Sequence, residues 1–118
     1  MLWVAAGGAC GALLRYAVQS AAAGSLPWGT FLVNVAGCLG IGALLAAFAG
    51  SPWFEGVGRP FLVFGVLGAF TTFSAFSADT LVLYEQGRFG WALAYVLGTV
   101  ATCLLAAYVG FRLVGALR

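Results

Sequence analysis

Long apolar runs, each cut off by a short cluster of turn residues, divide this chain into four segments. The first runs from about Leu2 to Ala21 and stops at Gly24, Ser25 and Pro27, which break a helix. The second runs from about Trp28 to Ala49, and GSPWFEGVGRP (Gly50 to Pro60) follows it as the longest connection. The third is Pro60 to Tyr84, closed by EQGR, and the fourth runs from about Phe89 to Leu113. At ~1.5 Å per residue each is long enough for a helix crossing a ~30 Å hydrocarbon core. Barrel strands would show a polar face at every second position, and that alternation is missing. The pattern predicts an all-α membrane protein: one domain over residues 1–118, four transmembrane helices, short loops, and both termini on one side. The first run is expected to stay as a span. Met1-Leu2-Trp3 lacks the basic start of a signal peptide, and the run outlasts a signal's apolar stretch.

The polar positions inside these runs are few. GAFTTFSAF (Gly68 to Phe76) sets Thr71, Thr72 and Ser74 among Phe70, Phe73 and Phe76, midway along the third segment, with Ser77, Asp79 and Thr80 after them. Gly65, Gly68 and the Thr pair weaken a helix there, because Gly destabilises it and Thr hydroxyls compete for its hydrogen bonds. A break at membrane depth is tolerated only where a cavity, an ion or a partner satisfies the freed backbone groups. The third helix is therefore predicted to be broken near the bilayer midplane, and carbonyls released there could hold a small cation. Arg15 lies about two-thirds along the first segment, and Asn34 in the first third of the second. Tyr95, Thr99 and Thr102 fall at i, i+4 and i+7 of the fourth, on one helical face. Each has a plainer reading: hydroxyls bonding back to their own helix, Tyr95 as an interfacial ring, Arg15 reaching for a headgroup, Asp79 wetted at a span end. Asn34 resists one, since its amide needs partners in the bundle interior.

Composition narrows the class. The 118 residues are 64% hydrophobic and 7% charged, against about 25% charged in soluble domains. Five Arg, three acidic residues and no Lys or His leave a net charge of +2, too little to imply nucleic acid. Without His, and with Cys10, Cys38 and Cys103 scattered through apolar segments, the cysteines read as small packing residues. Arg59, Arg112 and Arg118 fall on the terminal side, and Arg88 with Arg15 on the other. This near-balance permits insertion both ways round; otherwise the one-charge excess sets a single orientation. Eighteen glycines, among them the Gly7–Gly11 GxxxG and the pairs Gly8–Ala12, Ala36–Gly40 and Gly65–Ala69, indicate close helix packing. Two copies inserted in opposite senses would pair antiparallel.

Hydroxyls and amides without a central carboxylate favour an anion. They donate hydrogen bonds, and Arg15 would add positive potential at a vestibule. Phe73 and Phe76, three apart and on one face, offer positively polarised ring edges, unless they serve only as bulk.

Taken together, GGACGALLRY (Gly7 to Tyr16), WGTFLVNVAGCLGIG (Trp28 to Gly42) and GVLGAFTTFSAFSAD (Gly65 to Asp79) resemble the Fluc fluoride channels, also called the CrcB family. The resemblance covers nearly the whole chain. It implies a passive, fluoride-selective channel that confers fluoride resistance, placed in a prokaryotic cell membrane among its lipids. It implies an antiparallel, dual-topology homodimer with two pores. It implies a structural sodium ion (Na+) at the dimer axis, held by the backbone carbonyls of Gly68 and Thr71. Phe73 and Phe76 match the paired pore phenylalanines, and Asn34 the pore asparagine of the second span. Tyr95 and Thr99 match the polar track of the fourth helix, and Thr72 and Ser74 join the fluoride-binding set. Cys103 stands where some members carry a hydroxyl, and Ala69 replaces a common glycine.

The rival is a small dual-topology exporter of the small multidrug resistance type, which needs a membrane-embedded carboxylate. Leu2 to Ala49 has none, and Asp79 lies in the third span, within an otherwise anion-friendly cluster. A structural subunit would leave the hydroxyl cluster and Asn34 unexplained. No nucleophile–base pair or metal set suggests an enzyme.

Overall fold

An apolar chain of this kind must satisfy its backbone within each segment, and helices do so. The computed structural model describes all of residues 1–118, and every regular element in it is helical. Helix α1 spans Leu2–Ala21 and α2 spans Trp28–Phe48. Helix α3 is wound as a π-helix over Phe54–Leu67 and as an α-helix over Gly68–Phe70. Helix α4 spans Phe73–Glu85 and α5 spans Phe89–Leu117. Three stretches, Trp28–Phe48, Phe54–Glu85 and Phe89–Leu117, are long and apolar enough to cross a membrane. Helix α1 has the expected bounds, and its 20 residues give ~30 Å of length. Arg15 and Gln19 make it less apolar than the other three.

The connection expected between Gly50 and Pro60 is mostly helix. Helix α3 starts at Phe54 and carries Gly56, Gly58 and Pro60 within it. Phe54 anchors this end: it is 1% exposed, and its ring stacks on Phe48 at 5.6 Å. Gly58 lies against the rings of Trp53 and Phe54, where a Cβ would collide. Pro60 removes one backbone donor, and the i→i+5 winding around it is a form that helices adopt at such interruptions. The third long helical stretch is therefore Phe54–Glu85 rather than Pro60 to Tyr84.

The chain packs as two principal pairs, α2 on α5 and α1 on α3. Glycines set both contacts. A Cβ on Gly7 would strike the Phe61 carbonyl, and one on Gly11 the Val66 carbonyl. The GxxxG motif thus brings α1 onto α3 of the same chain. On the other pair, a Cβ on Gly42 would strike the Ala107 carbonyl, and one on Gly110 the Leu39 carbonyl. Backbones in contact gain dispersion where lipid offers no hydrophobic drive for association.

The turns are closed by specific bonds. Helix α4 ends in a Schellman motif: Arg88 N–H donates to the Leu83 carbonyl and Gly87 N–H to that of Tyr84, with Gly87 at φ 73°. Arg88 Nη1 then donates to the Ser25 carbonyl at 2.7 Å, tying this turn to the one between α1 and α2. At the opposite end Arg118 Nη1 reaches the Ala46 carbonyl at 2.6 Å.

The result is a slab of 50 × 32 × 19 Å, two ~10 Å helices thick. Only 17 of 118 residues are buried, so Leu13, Phe64, Leu97, Leu104 and many other apolar side chains face outward. An apolar surface this continuous requires lipid or another protein surface over it.

The α2–α5 contact yields a test. Gly42→Leu is expected to lower the thermal midpoint of the purified protein in detergent, by the roughly 1–3 kcal/mol typical of overpacking. Gly8→Leu, where an added Cβ meets open space, should leave it nearly unchanged. Equal midpoints for the two variants would contradict the backbone contact at Gly42.

Candidate functional site

Helix α3 stops at Phe70 and α4 begins at Phe73. Between them Thr71 (φ −81°, ψ 153°) and Thr72 (φ −152°, ψ 118°) are extended, so the predicted break is present. Its chemistry is local first. The Thr71 hydroxyl donates to the Leu67 carbonyl at 2.8 Å, an oxygen that also accepts the Thr71 N–H. Thr72 is the N-cap of α4, its Oγ1 accepting from Ala75 N–H at 3.1 Å. Ser74 Oγ lies 3.1 Å from the same hydroxyl and is itself exposed.

Two side chains from other helices complete the break. Thr72 N–H donates to Asn34 Oδ1 at 2.8 Å, and Asn34 Nδ2 donates back to the Thr72 carbonyl at 3.1 Å. Arg15 Nε donates to the Ala69 carbonyl at 2.9 Å. In a continuous α-helix, Thr72 N–H would serve the Gly68 carbonyl and Ala75 N–H the Thr71 carbonyl. Both donors are diverted here, to Asn34 and to the Thr72 hydroxyl. The carbonyls of Gly68 and Thr71 therefore lose their helical partners, while those of Ala69 and Thr72 regain donors from Arg15 and Asn34. Gly68 lies on the exposed surface of the chain.

Beside the break is a cavity of about 300 Å³. It is lined by Asn34, Thr71, Thr72, Phe73, Phe76 and Thr99, and further by Cys38 and Cys103. Thr99 is 5% exposed and its hydroxyl has no partner within the chain. The Phe73 and Phe76 ring centroids are 5.4 Å apart, and Tyr95 continues the row 5.2 Å from Phe76. Phe76 is buried at 7% exposure, whereas Phe73 is 78% exposed at the open side. Tyr95 and Thr99 line an adjoining cavity of about 170 Å³ with Trp28, Phe31 and Thr102. Beyond Phe76, the Tyr95 hydroxyl donates to Asp79 Oδ2 at 3.3 Å.

The structure thus brings Asn34, Thr72, Phe73, Phe76 and Thr99 around one space and puts Tyr95 next to it. Arg15 lines neither cavity. Asn34 is joined to the break at both ends of its amide, and Nδ2 keeps a second N–H. Sequence reading passed over Gln19, whose Nε2 donates to Thr30 Oγ1 at 3.0 Å where α1 meets α2. Its signal was present: a polar residue one turn beyond Arg15 in an apolar run. Cys38 and Cys103 were read as packing. Each stands one helical turn after a cavity-lining polar residue, Asn34 and Thr99 respectively.

Fold and site together define a small polytopic helical membrane protein, built around an interrupted helix with an uncharged polar and aromatic cavity at the interruption. The chain belongs to the CrcB family: the family described as CrcB-like protein, Camphor Resistance (CrcB), matches residues 2–111, as the sequence motifs led one to expect. A relative from Chelativorans sp. (strain BNC1) is 46% identical over 117 residues, covering 96% of this chain and 94% of the relative. One from Thermus thermophilus is 46% identical over 121 residues, covering 98% and 94%. One from Paracoccus denitrificans (strain Pd 1222) is 49% identical over 114 residues, covering 92% and 89%. All three carry the name Fluoride-specific ion channel FluC.

The reciprocal amide bridge gives a direct test. Asn34→Ala strands the N–H and carbonyl of Thr72, and a buried group left without a partner loses roughly 1–3 kcal/mol. Thr72→Ser keeps the capping hydroxyl and should lose much less. Thermal unfolding in detergent measures both, and equal stability of the two variants would show that the bridge does not hold the break.

Proposed function

We propose that this chain forms a passive, fluoride-selective channel in a prokaryotic cell membrane, exporting cytoplasmic fluoride down its electrochemical gradient. One observation carries the reading: the cavity at the break offers hydroxyls, an amide and phenylalanine edges, and no charged side chain. Such donors meet a small, strongly hydrated anion with hydrogen bonds, and a fixed cation that would hold it too tightly is missing. The names of the family relatives point the same way. Protonated fluoride crosses membranes as a neutral weak acid and ionises in the cytoplasm, so an anion path alone suffices for its exit. No catalytic step or energy source is required, and the chain is not an enzyme.

Phe73, Phe76, Asn34, Thr72, Ser74, Tyr95 and Thr99 form the fluoride path in this reading. The unpartnered Thr99 hydroxyl is the donor best placed to replace a water of the ion. Arg15 spends its Nε on the Ala69 carbonyl and would bring its positive charge and remaining guanidinium N–H groups to the vestibule. Asp79, held by Tyr95, lies outside the cavity, and nothing in the site favours a cation exporter.

The working unit is an antiparallel homodimer of four-span chains. The largely unburied slab and the exposed Phe73 ring support it, since a second copy would cover both. Na+ sits on its axis, held by the carbonyls of Gly68 and Thr71. The donor set fits this ion: these oxygens have lost their helical donors, and no carboxylate is grouped there to draw a divalent cation. Once bound, the ion supplies positive charge to carbonyls that would otherwise be stranded in a low-dielectric setting.

Purified protein reconstituted in liposomes is expected to release fluoride, measured with an ion-selective electrode, with far slower release of chloride and no need for a pH gradient. Phe76→Ile, which keeps bulk and removes the ring edge, should slow efflux roughly tenfold, equivalent to ~1.4 kcal/mol at the barrier. Equal chloride flux, or wild-type rates in that variant, would overturn the reading. Exchange of sodium for a bulky organic cation should lower the thermal midpoint, by about 2.7 kcal/mol for an ion present at a hundred times its Kd. An unchanged midpoint would remove sodium from the axis.

A further inference from the structure

Two cysteines line the cavity at the break, and neither is used by the fold or by the conduction path described above. Cys38 is on α2, one turn beyond Asn34, and Cys103 is on α5, one turn beyond Thr99. Because α2 and α5 meet backbone to backbone where Gly42 lies against Ala107, one turn further along both helices, Cys38 and Cys103 stand at the same level of the pair and line the same cavity. Cys10, by contrast, is exposed on the outside of α1. The space they face is mostly apolar, and the buried Thr99 hydroxyl in its wall has no partner within the chain. Both cysteines are free thiols.

We propose that Cys38 and Cys103 form a two-coordinate site for a soft, thiophilic divalent cation, of which Hg2+ is the simplest probe. Soft thiolates select soft metals over Na+, Mg2+ or Ca2+, so the site is separate in chemistry from the backbone carbonyls of the break. Binding replaces two S–H bonds with two S–metal bonds and releases two protons, with no change of oxidation state. The charges also match the surroundings. Two thiolates and one divalent cation make a neutral unit, which a low-dielectric cavity accepts, whereas a single thiolate would leave a net positive charge there. The bound metal would sit in the space lined by Asn34, Phe76 and Thr99, so occupancy closes the cavity. That consequence rests on the channel reading; the metal site itself does not.

The test uses the full-length protein carrying Cys10→Ser, so that only the two cavity thiols remain. One equivalent of Hg2+ per chain is expected to protect both Cys38 and Cys103 from maleimide alkylation, read by mass spectrometry. Methylmercury, which takes one thiol, should protect only one per equivalent. Further substitution by Cys38→Ser or Cys103→Ala should weaken Hg2+ retention against a competing thiol about a hundredfold, the gain expected from a second tethered ligand. Capture of one thiol per Hg2+, or equal retention in the single-thiol variants, would overturn the site. In proteoliposomes, Hg2+ should slow fluoride efflux in the two-thiol protein and spare most of it in the single-thiol variants, each compared with its own metal-free rate. Two-thiol capture with undiminished efflux would uphold the metal site and overturn the cavity as the ion path. Absence of efflux before metal is added would overturn the channel reading, while the alkylation result still decides the site.

Discussion

An interrupted helix inside a hydrocarbon layer has no water to fall back on, and most of this structure can be read as the response to that constraint. Two extended threonines expose several N–H and carbonyl groups at once, and each left unsatisfied would cost a few kcal/mol. The chain answers from three helices. Asn34 on α2 takes the N–H and carbonyl of Thr72, Arg15 on α1 takes the Ala69 carbonyl, and the two threonine hydroxyls bond back to their own segment. These bonds have to be made over short distances, which requires α1 and α2 to lie close to the broken helix. The glycines that let α1 touch α3 and α2 touch α5 are thus part of the same solution.

The same geometry separates two kinds of oxygen and nitrogen at the break. Groups that bind other helices fix the backbone: the Ala69 and Thr72 carbonyls and the Thr72 N–H. Groups that do not are the Gly68 and Thr71 carbonyls, the Thr99 hydroxyl and the second N–H of Asn34. The break and its surroundings thereby keep both acceptors and donors without a partner inside the chain. In the proposed dimer a cation answers the first set and an anion the second. One discontinuity in the backbone serves both, with no charged side chain in the cavity.

Much of this was legible in the sequence because the signals were local. Gly68, Thr71 and Thr72 weaken a helix by their own chemistry, so the break could be placed to within a residue or two. Asn34 was bound to need partners, and only their identity was hidden: a backbone amide 38 positions away leaves no trace in composition. The connection between Gly50 and Pro60 was misread for the opposite reason. Gly56, Gly58 and Pro60 are strong turn signals, and what overrides them is tertiary, the burial of Phe54 against Phe48 and the close fit of Gly58 under two rings. Gly42 and Gly110 escaped notice because they are far apart in sequence and meet only when α2 and α5 pack.

The arginines show why charge counting gave so little. Arg15, Arg88 and Arg118 each donate to a backbone carbonyl of another segment, Arg59 pairs with Glu55 at 3.3 Å, and Arg112 lies over the Tyr108 ring. Every arginine thus has a partner within the chain, at a helix end, a break, an aromatic ring or a neighbouring carboxylate. A topology read from three charges against two therefore rests on residues placed for other reasons. It also follows that selectivity for an anion cannot come from a ring of cations. In the proposed channel it would come from neutral donors and polarised ring edges, whose hold on an ion is strong enough to replace water and weak enough to let it leave. In the proposed path that balance would be set by how Phe76, Thr99 and Asn34 are spaced around the cavity. The Asn34–Thr72 bridge fixes one wall of that space, so the bond that repairs the helix would also size the proposed path.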